Sequence, residues 1–526
     1  MRAPIWAGRL TSWRRRRTTG GILGAMAVVG AAGTLIIAAV LSLLDQHRVE
    51  VGPNVFVNDG GPIDATNSPT LVRNPRRPQN LVAAYRVDRP RFSAGLGWSD
   101  DSGVSWQRSP LPLPEEVPPC AGTRSGERCP FAPDVAFGPD GTLYILYVNL
   151  EGRGNAPANL WLATSSDGGR SISPPVRVAG QLTFQPRLVV DPGGTIHITW
   201  LRASQVGLLS LVGFPNPVVA VHSSDGGRTF SAPVTVSDPE RERVGAATPV
   251  IDSNGELVVL YQDFKNDRRD FENLEGPPWP DPFALVVTRS RDGGRTFSPG
   301  IELESGVVPA RRFLVFLPEF TSIAAGPHGT LYVAWADARN GEEDVFLRRS
   351  SDGGRTWAPA VRVNDNRRQD GTTQYLPRVD VAADGRVDVV FLDRRQDPED
   401  VMTDAFLAFS HDSARSFTNV KLSSEPFDSR VGPSTGPRSG VDFGSRLGLS
   451  SGTDQPTIAA WTDTREGTES TGRQDIVAAQ VEVTRSRRAL TSLLAAGGLL
   501  ATALIAFVGS RRATARRRRA SSGTTS

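Results

Sequence analysis

The sequence predicts an all-β fold: a seven-bladed β-propeller flanked by N- and C-terminal transmembrane α-helices. Three observations carry this. A unit of four short strands recurs through residues 45–488. Six copies contain the segment S-x-D-x-G-x-T/S-aromatic, at a spacing of roughly sixty residues. A charge-free apolar run stands on each side of the repeats.

The N-terminal run, residues 22–44, reads ILGAMAVVGAAGTLIIAAVLSLL. As a helix it would be about 34 Å long, enough to cross the hydrocarbon core. A cleaved signal peptide is the alternative. Its apolar core is normally shorter and ends in a small-x-small site, whereas this run ends in Leu43 and Leu44. Residues 489–508 form the second charge-free span. Arg2, Arg9 and Arg14 to Arg17 precede the first; Arg511, Arg512 and Arg516 to Arg519 follow the second. Basic clusters also suit nucleic acid, but beside an apolar run they set topology. No nucleic-acid partner is expected. The net charge of +3 is a property of the ends, not of the repeats.

The expected organisation is a basic cytoplasmic tail at 1–21, a span at 22–44 and an extracytoplasmic propeller at 45–488. A second span at 489–508 and a basic cytoplasmic tail at 509–526 follow. The expected location is a cell membrane, crossed twice, with both termini inside. Hydrophobic content of 39% and charged content of 22% make the middle globular rather than disordered. The 53 glycines and 40 prolines suit short strands joined by tight turns. The two cysteines, Cys120 and Cys129, lie in PPCAGTRSGERCPF. In an exported domain a local disulfide is the expected state. No further cysteine or clustered histidine accompanies them, so neither a metal site nor a cofactor is indicated.

The six segments are SDDSGVSW, SSDGGRSI, SSDGGRTF, SRDGGRTF, SSDGGRTW and SHDSARSF. Their aspartates are Asp101, Asp167, Asp225, Asp292, Asp352 and Asp412. An aspartate can accept backbone N–H bonds within its own turn. Glycine takes a positive φ at little cost. The terminal aromatic can plug the space between sheets. A calcium loop is the alternative for such Asp/Gly segments, but the regular oxygen ligands and closing Glu of an EF-hand are missing. Around each segment lie four strands, as in residues 320–365: FTSIAAG, LYVAWAD, DVFLRRS and AVRVND. Units begin near Leu71, Phe131, Phe184, Ala247, Phe320 and Tyr375. A seventh, near Phe443, has three strands and no such segment. VFVND at 55–59 resembles VRVND at 361–365, a fourth strand. The N-terminal strand is therefore expected to complete the last blade, which removes an exposed sheet edge.

These segments resemble the Asp box of sialidases and related propellers, and the resemblance covers most of residues 50–483. It implies six blades as the alternative count, since six is the number familiar from sialidases. It also implies a ligand face opposite the Asp boxes. That face carries the 2–3 hairpins and the crossovers between blades, while both tethers would leave from the Asp-box side.

Several 2–3 hairpins on the outward face start with an acid: Asp263, Asp337, Asp393 and Asp463. Arg339, Arg395 and Arg465 follow three of them, so either ligand binding or an Asp–Arg clasp is open. Arg187, Arg378 and Arg446 stand at the start of innermost strands and Tyr375 close by. The three arginines can converge on an anion, as sialidases hold a sugar carboxylate with three arginines. Alternatively each pairs with an acid such as Asp380 or Asp442. The loops at 205–217, 263–283 and 313–318 are apolar or aromatic, marking either a partner surface or a channel plug. The F/Y-R-I-P motif of sialidases is absent, and neither Tyr261 nor Tyr375 pairs with a Glu by spacing.

The expected function is a noncatalytic scaffold, membrane-anchored and extracytoplasmic, binding a glycan or an envelope protein. The alternatives are an exo-sialidase-type glycoside hydrolase and an assembly factor for other envelope proteins.

Overall fold

Short apolar runs punctuated by Gly and Pro turns fold as seven antiparallel sheets. The computed structural model describes residues 47–120, 128–151, 156–180, 183–203, 215–265, 282–308, 321–433 and 441–485. The expected spans at 22–44 and 489–508, with both tails, lie outside these residues. So do most of the 205–217 and 263–283 loops and all of 313–318. Among the described residues no helix is long and apolar enough to cross a membrane. Residues 51–482 form one unit, and the residues on either side form a second. In the second, Thr484 Oγ1 donates to the Arg48 carbonyl at 3.4 Å.

Six of the innermost strands are Ala65–Arg73, Pro130–Phe137, Thr183–Val190, Val244–Ile251, Thr321–Ala325 and Gln374–Val381. Each opens a blade of four strands paired in sequence order. The seventh blade holds Gly448–Ser450, Thr457–Asp463 and Asp475–Arg485. The six-bladed alternative is thereby corrected: the strands after Phe443 form a sheet of their own instead of extending blade 6.

The N-terminal strand closes that seventh sheet. Val55 pairs with Ala478 and Phe56 with Val477, as Val361 pairs with Leu347 and Arg362 with Phe346 in blade 5. The likeness of VFVND to VRVND extends to side chains. Asn58 Oδ1 accepts the Ile476 N–H at 2.6 Å, and its Nδ2 donates to Asp475 at 2.9 Å. Asn364 makes the same two bonds, to the Val345 N–H and to Asp344. Behind this edge Val57, Leu71, Leu81, Ile458 and Ile476 form one buried cluster joining blades 7 and 1. Both ends of the propeller chain meet here: the Gly52 N–H donates to the Gln480 carbonyl at 2.9 Å. Gln480 Nε2 in turn reaches the Ser102 carbonyl in the first Asp box at 3.0 Å. The ends therefore lie on the Asp-box face.

Every Asp box occupies a 3–4 hairpin and has one internal wiring. The opening serine donates to the aspartate, as Ser223 does to Asp225 at 2.8 Å. The same hydroxyl accepts the N–H of the residue four places on, here Gly227 at 3.0 Å. The aspartate then accepts the hydroxyl and N–H of Thr229. These bonds, the Thr229 hydroxyl first, hold the Asp225 carboxyl well below the usual carboxylate range. Gly227 has φ +85, and a β-carbon there would stand 2.6 Å from Leu162 of the preceding blade. The closing residue of each box packs at the interface with that preceding blade: Trp106, Ile172, Phe230, Phe297, Trp357 and Phe417. Cys120 and Cys129, on the crossover from blade 1 to blade 2, form a disulfide.

Two stability changes of opposite sign are expected. Asn58→Ala leaves the buried Ile476 N–H and Asp475 short of a partner, and should cost about 2 kcal/mol or more. Ala414 stands at φ +62 where the other boxes have glycine. Ala414→Gly should therefore add about 0.5–1 kcal/mol. Urea unfolding midpoints of the purified protein check both; a gain for Asn58→Ala or a loss for Ala414→Gly would contradict the account.

Candidate functional site

The innermost strands surround a cavity of about 590 Å³. A repeated irregularity decides which side chains face it. In blade 3 Phe184 pairs with Leu201, but Arg187 pairs with Thr199, so the inner strand carries one extra residue. The bulge leads with Gln185 at φ +48, and Pro186 comes next, where no ladder N–H is needed. The same slip falls before Thr70, Asp134, Thr248 and Arg378. Its left-handed residues are Ser68, Ala132, Ala246 and Leu376. Non-glycine residues rarely take this conformation, and clusters of them accompany functional sites. All five residues after the bulge line the cavity. Blade 7 contributes Arg446, just beyond Gly444 at φ +91, and blade 5, with no slip in its ladder, contributes Ile323.

Arg187, Arg378 and Arg446 thus come together around one cavity, with Asp134 among them. Arg446 Nη1 stands 3.6 Å from Asp134 Oδ1, and its Nη2 donates to the Pro133 carbonyl at 3.2 Å. Asp134 Oδ2 accepts the Leu188 N–H of the next blade at 3.0 Å. Arg187 Nη1 donates to the Pro186 carbonyl at 2.7 Å. Burial, and then the neighbouring Arg446, push the Arg187 guanidinium well below its ordinary value. Burial brings Arg446 down to about 10. Asp191, Asp252 and Asp380 also line the cavity, so three guanidiniums and four carboxylates share it.

Of the two acids weighed as partners from sequence, Asp380 lines the cavity beside Arg378 and Asp442 sits elsewhere. Asp442 pairs with the buried Arg86 at 2.5 Å, together with Asp88. Asp380 accepts the Ser451 N–H at 2.7 Å, and burial pushes its carboxyl up. Sequence reasoning missed Asp134, Thr70 and Thr248. The signal was present: FAPD at 131–134 aligns with FQPR at 184–187 and YLPR at 375–378.

The other sequence candidates are not brought to the cavity. Tyr375 holds the position of Phe131 and Phe184 before the bulge. Its hydroxyl meets Thr403 Oγ1 at 3.2 Å and Arg394 covers its ring. Asp337 accepts the Arg339 fork and the Trp335 indole N–H. Asp463 binds Arg465 and Trp461 in the same way. Asp393 binds Arg395. Asp263 is held by Arg241, from an earlier segment, and by the Lys265 N–H. All four carboxylates are buried and tie hairpins. Tyr261 is buried too, with its hydroxyl 3.5 Å from Asp238.

The charges around Asp134 lead to opposite expectations for two substitutions. Asp134→Ala leaves three guanidiniums facing one another and should cost about 3–5 kcal/mol. Arg378→Met relieves repulsion and should leave stability unchanged or higher. Chemical denaturation of each variant at low and high salt distinguishes these; equal losses for both would refute repulsion among the three arginines.

Solved structures are similar to this chain at low identity. A protein of unknown function from Dyadobacter fermentans is 16% identical, with a TM-score of 0.44, over 66% of this chain and 95% of its own. A Hadza microbial sialidase is 19% identical, with a TM-score of 0.41, over 68% of this chain and 66% of its own. A polysaccharide lyase, an ulvan lyase, is 11% identical, with a TM-score of 0.46, over 82% and 96%. No protein-family model matches the chain and no curated protein does. The chain is a seven-bladed β-propeller.

Proposed function

We propose that this propeller is a noncatalytic recognition scaffold that takes an anionic group, a carboxylate of a glycan or of a protein, into its central cavity. The observation that carries the reading is the convergence of Arg187, Arg378 and Arg446 on the cavity with Asp134 between them. Planar guanidinium forks match a carboxylate. The candidate nucleophiles are committed to other work: Tyr375 to Thr403 and Tyr261 to Asp238.

The setting we propose is a cell membrane crossed at 22–44 and 489–508, with both arginine-rich tails in the cytoplasm and the propeller outside. The absence of charge in both segments supports it, as does the Cys120–Cys129 disulfide, a bond at home in an oxidising compartment. The second reading, an exo-sialidase-type hydrolase, draws on the same three arginines.

Two measurements on one preparation test this. Calorimetric titration with N-acetylneuraminate and with glucuronate should show saturable binding, weakened about tenfold or more by Arg378→Ala. A fluorogenic sialoside should release no fluorophore above the buffer rate. Turnover abolished by Arg187→Ala or Arg446→Ala would replace the scaffold reading with the hydrolase.

A further inference from the structure

A second concentration of positive charge lies on the Asp-box face, away from the central cavity. A cavity of about 390 Å³ is lined there by Arg289, Arg291 and Arg355, with Thr296 and Ser298 beside them. Arg291, Thr296 and Ser298 belong to the box hairpin of blade 4, and Arg355 to that of blade 5.

Arg289 is the buried member, 6% exposed. Its Nη1 and Nη2 have no hydrogen-bond partner among the described residues. Glu256 Oε2 stands 3.6 Å from Nη1, beyond hydrogen-bonding distance. Glu256 is also shared, since its Oε1 lies 3.0 Å from Arg291 Nε. The Arg289 guanidinium lies against Gly353 and Gly354, where a β-carbon would come within 3.4 Å of Nη1 or Nη2. Arg355 Nη1 donates to the Asp352 carbonyl at 2.7 Å. Asp252 is nearby, but its Oδ1 accepts the Asn254 and Glu256 N–H groups. Burial, and next the neighbouring Arg355, lower the Arg289 guanidinium from its ordinary value. A buried fork with unmade donors is costly unless an acceptor arrives.

We propose that this cavity binds a phosphate group, with the buried Arg289 fork and the exposed Arg291 and Arg355 donating to its oxygens. Phosphate offers more acceptor oxygens than a carboxylate and suits several guanidiniums at once. The group has two available sources, a phospholipid headgroup and soluble phosphate. Both ends of the propeller chain leave from this same face, at Gly52 and Gln480.

Calorimetric titration of the full chain in detergent, at constant ionic strength, tests the site. Inorganic phosphate should bind saturably at one site. Arg291→Ala and Arg355→Ala alter exposed side chains and should each weaken binding about tenfold or more with an unchanged unfolding midpoint. Arg289→Met should abolish it. Dihexanoyl phosphatidic acid is the second probe. Affinity at least about tenfold above that of inorganic phosphate supports the site and assigns it to a lipid headgroup. Equal affinities support it and assign it to soluble phosphate. Absence of saturable heat with either probe, or binding that survives all three substitutions, overturns the proposal.

Discussion

The ring depends on one strand pairing. Without residues 55–58 the Ile476–Ala478 stretch of the last sheet's outer strand has no partner on its outer side. With them, the buried cluster between blades 7 and 1 is completed by Val57. The pairing is locked by Asn58, which satisfies a backbone N–H and a buried carboxylate together. A sheet edge carries a row of unmade hydrogen bonds, and closure removes it. The central cavity depends on this closure, because the seven inner strands converge only if the circle is shut.

Within that frame, one small departure from regular pairing separates scaffold from site. The outer parts of each blade repeat the same solutions: buried Asp–Arg ties at Asp337, Asp393 and Asp463, and identical bonds in each Asp box. Most inner strands share a bulge but differ in the residue just after it: threonine, aspartate or arginine. One extra residue resets which side chains face inward. The scaffold is thus held constant while the chemistry of the cavity varies blade by blade. Arginine takes three of the seven positions, and Asp134 is ion-paired to one of these arginines.

Much of this was legible in the sequence because it rests on local signals. The box segments mark the 3–4 hairpins, and VFVND against VRVND located the closing strand to the residue. The disulfide could also be read, and convergence of the three arginines was one of two readings. Spatial pairing could not. Asp442 was a plausible mate for Arg446 by proximity in sequence, yet it serves Arg86 across the closure, and Asp134 from another blade takes its place. Asp263 lacks the arginine two residues on that its counterparts have, and Arg241 supplies it. Tyr375 was a candidate beside the arginines, but the bulge after it brings Arg378 to the cavity and leaves the Tyr375 ring under Arg394. Such partners are set by blade-to-blade geometry, which no local pattern encodes.

The Asn58–Ile476 bond spans 418 residues. During synthesis at about 5–20 residues per second, this N-terminal segment waits tens of seconds before its mate emerges. Blades 1 to 6 are complete in sequence by then, but the circle stays open. The nascent chain therefore carries two unsatisfied borders, one at each extremity, that only the final sheet can reconcile. Assembly of this architecture is gated by its last strand, and any stall late in translation would leave an almost finished protein with complementary adhesive rims.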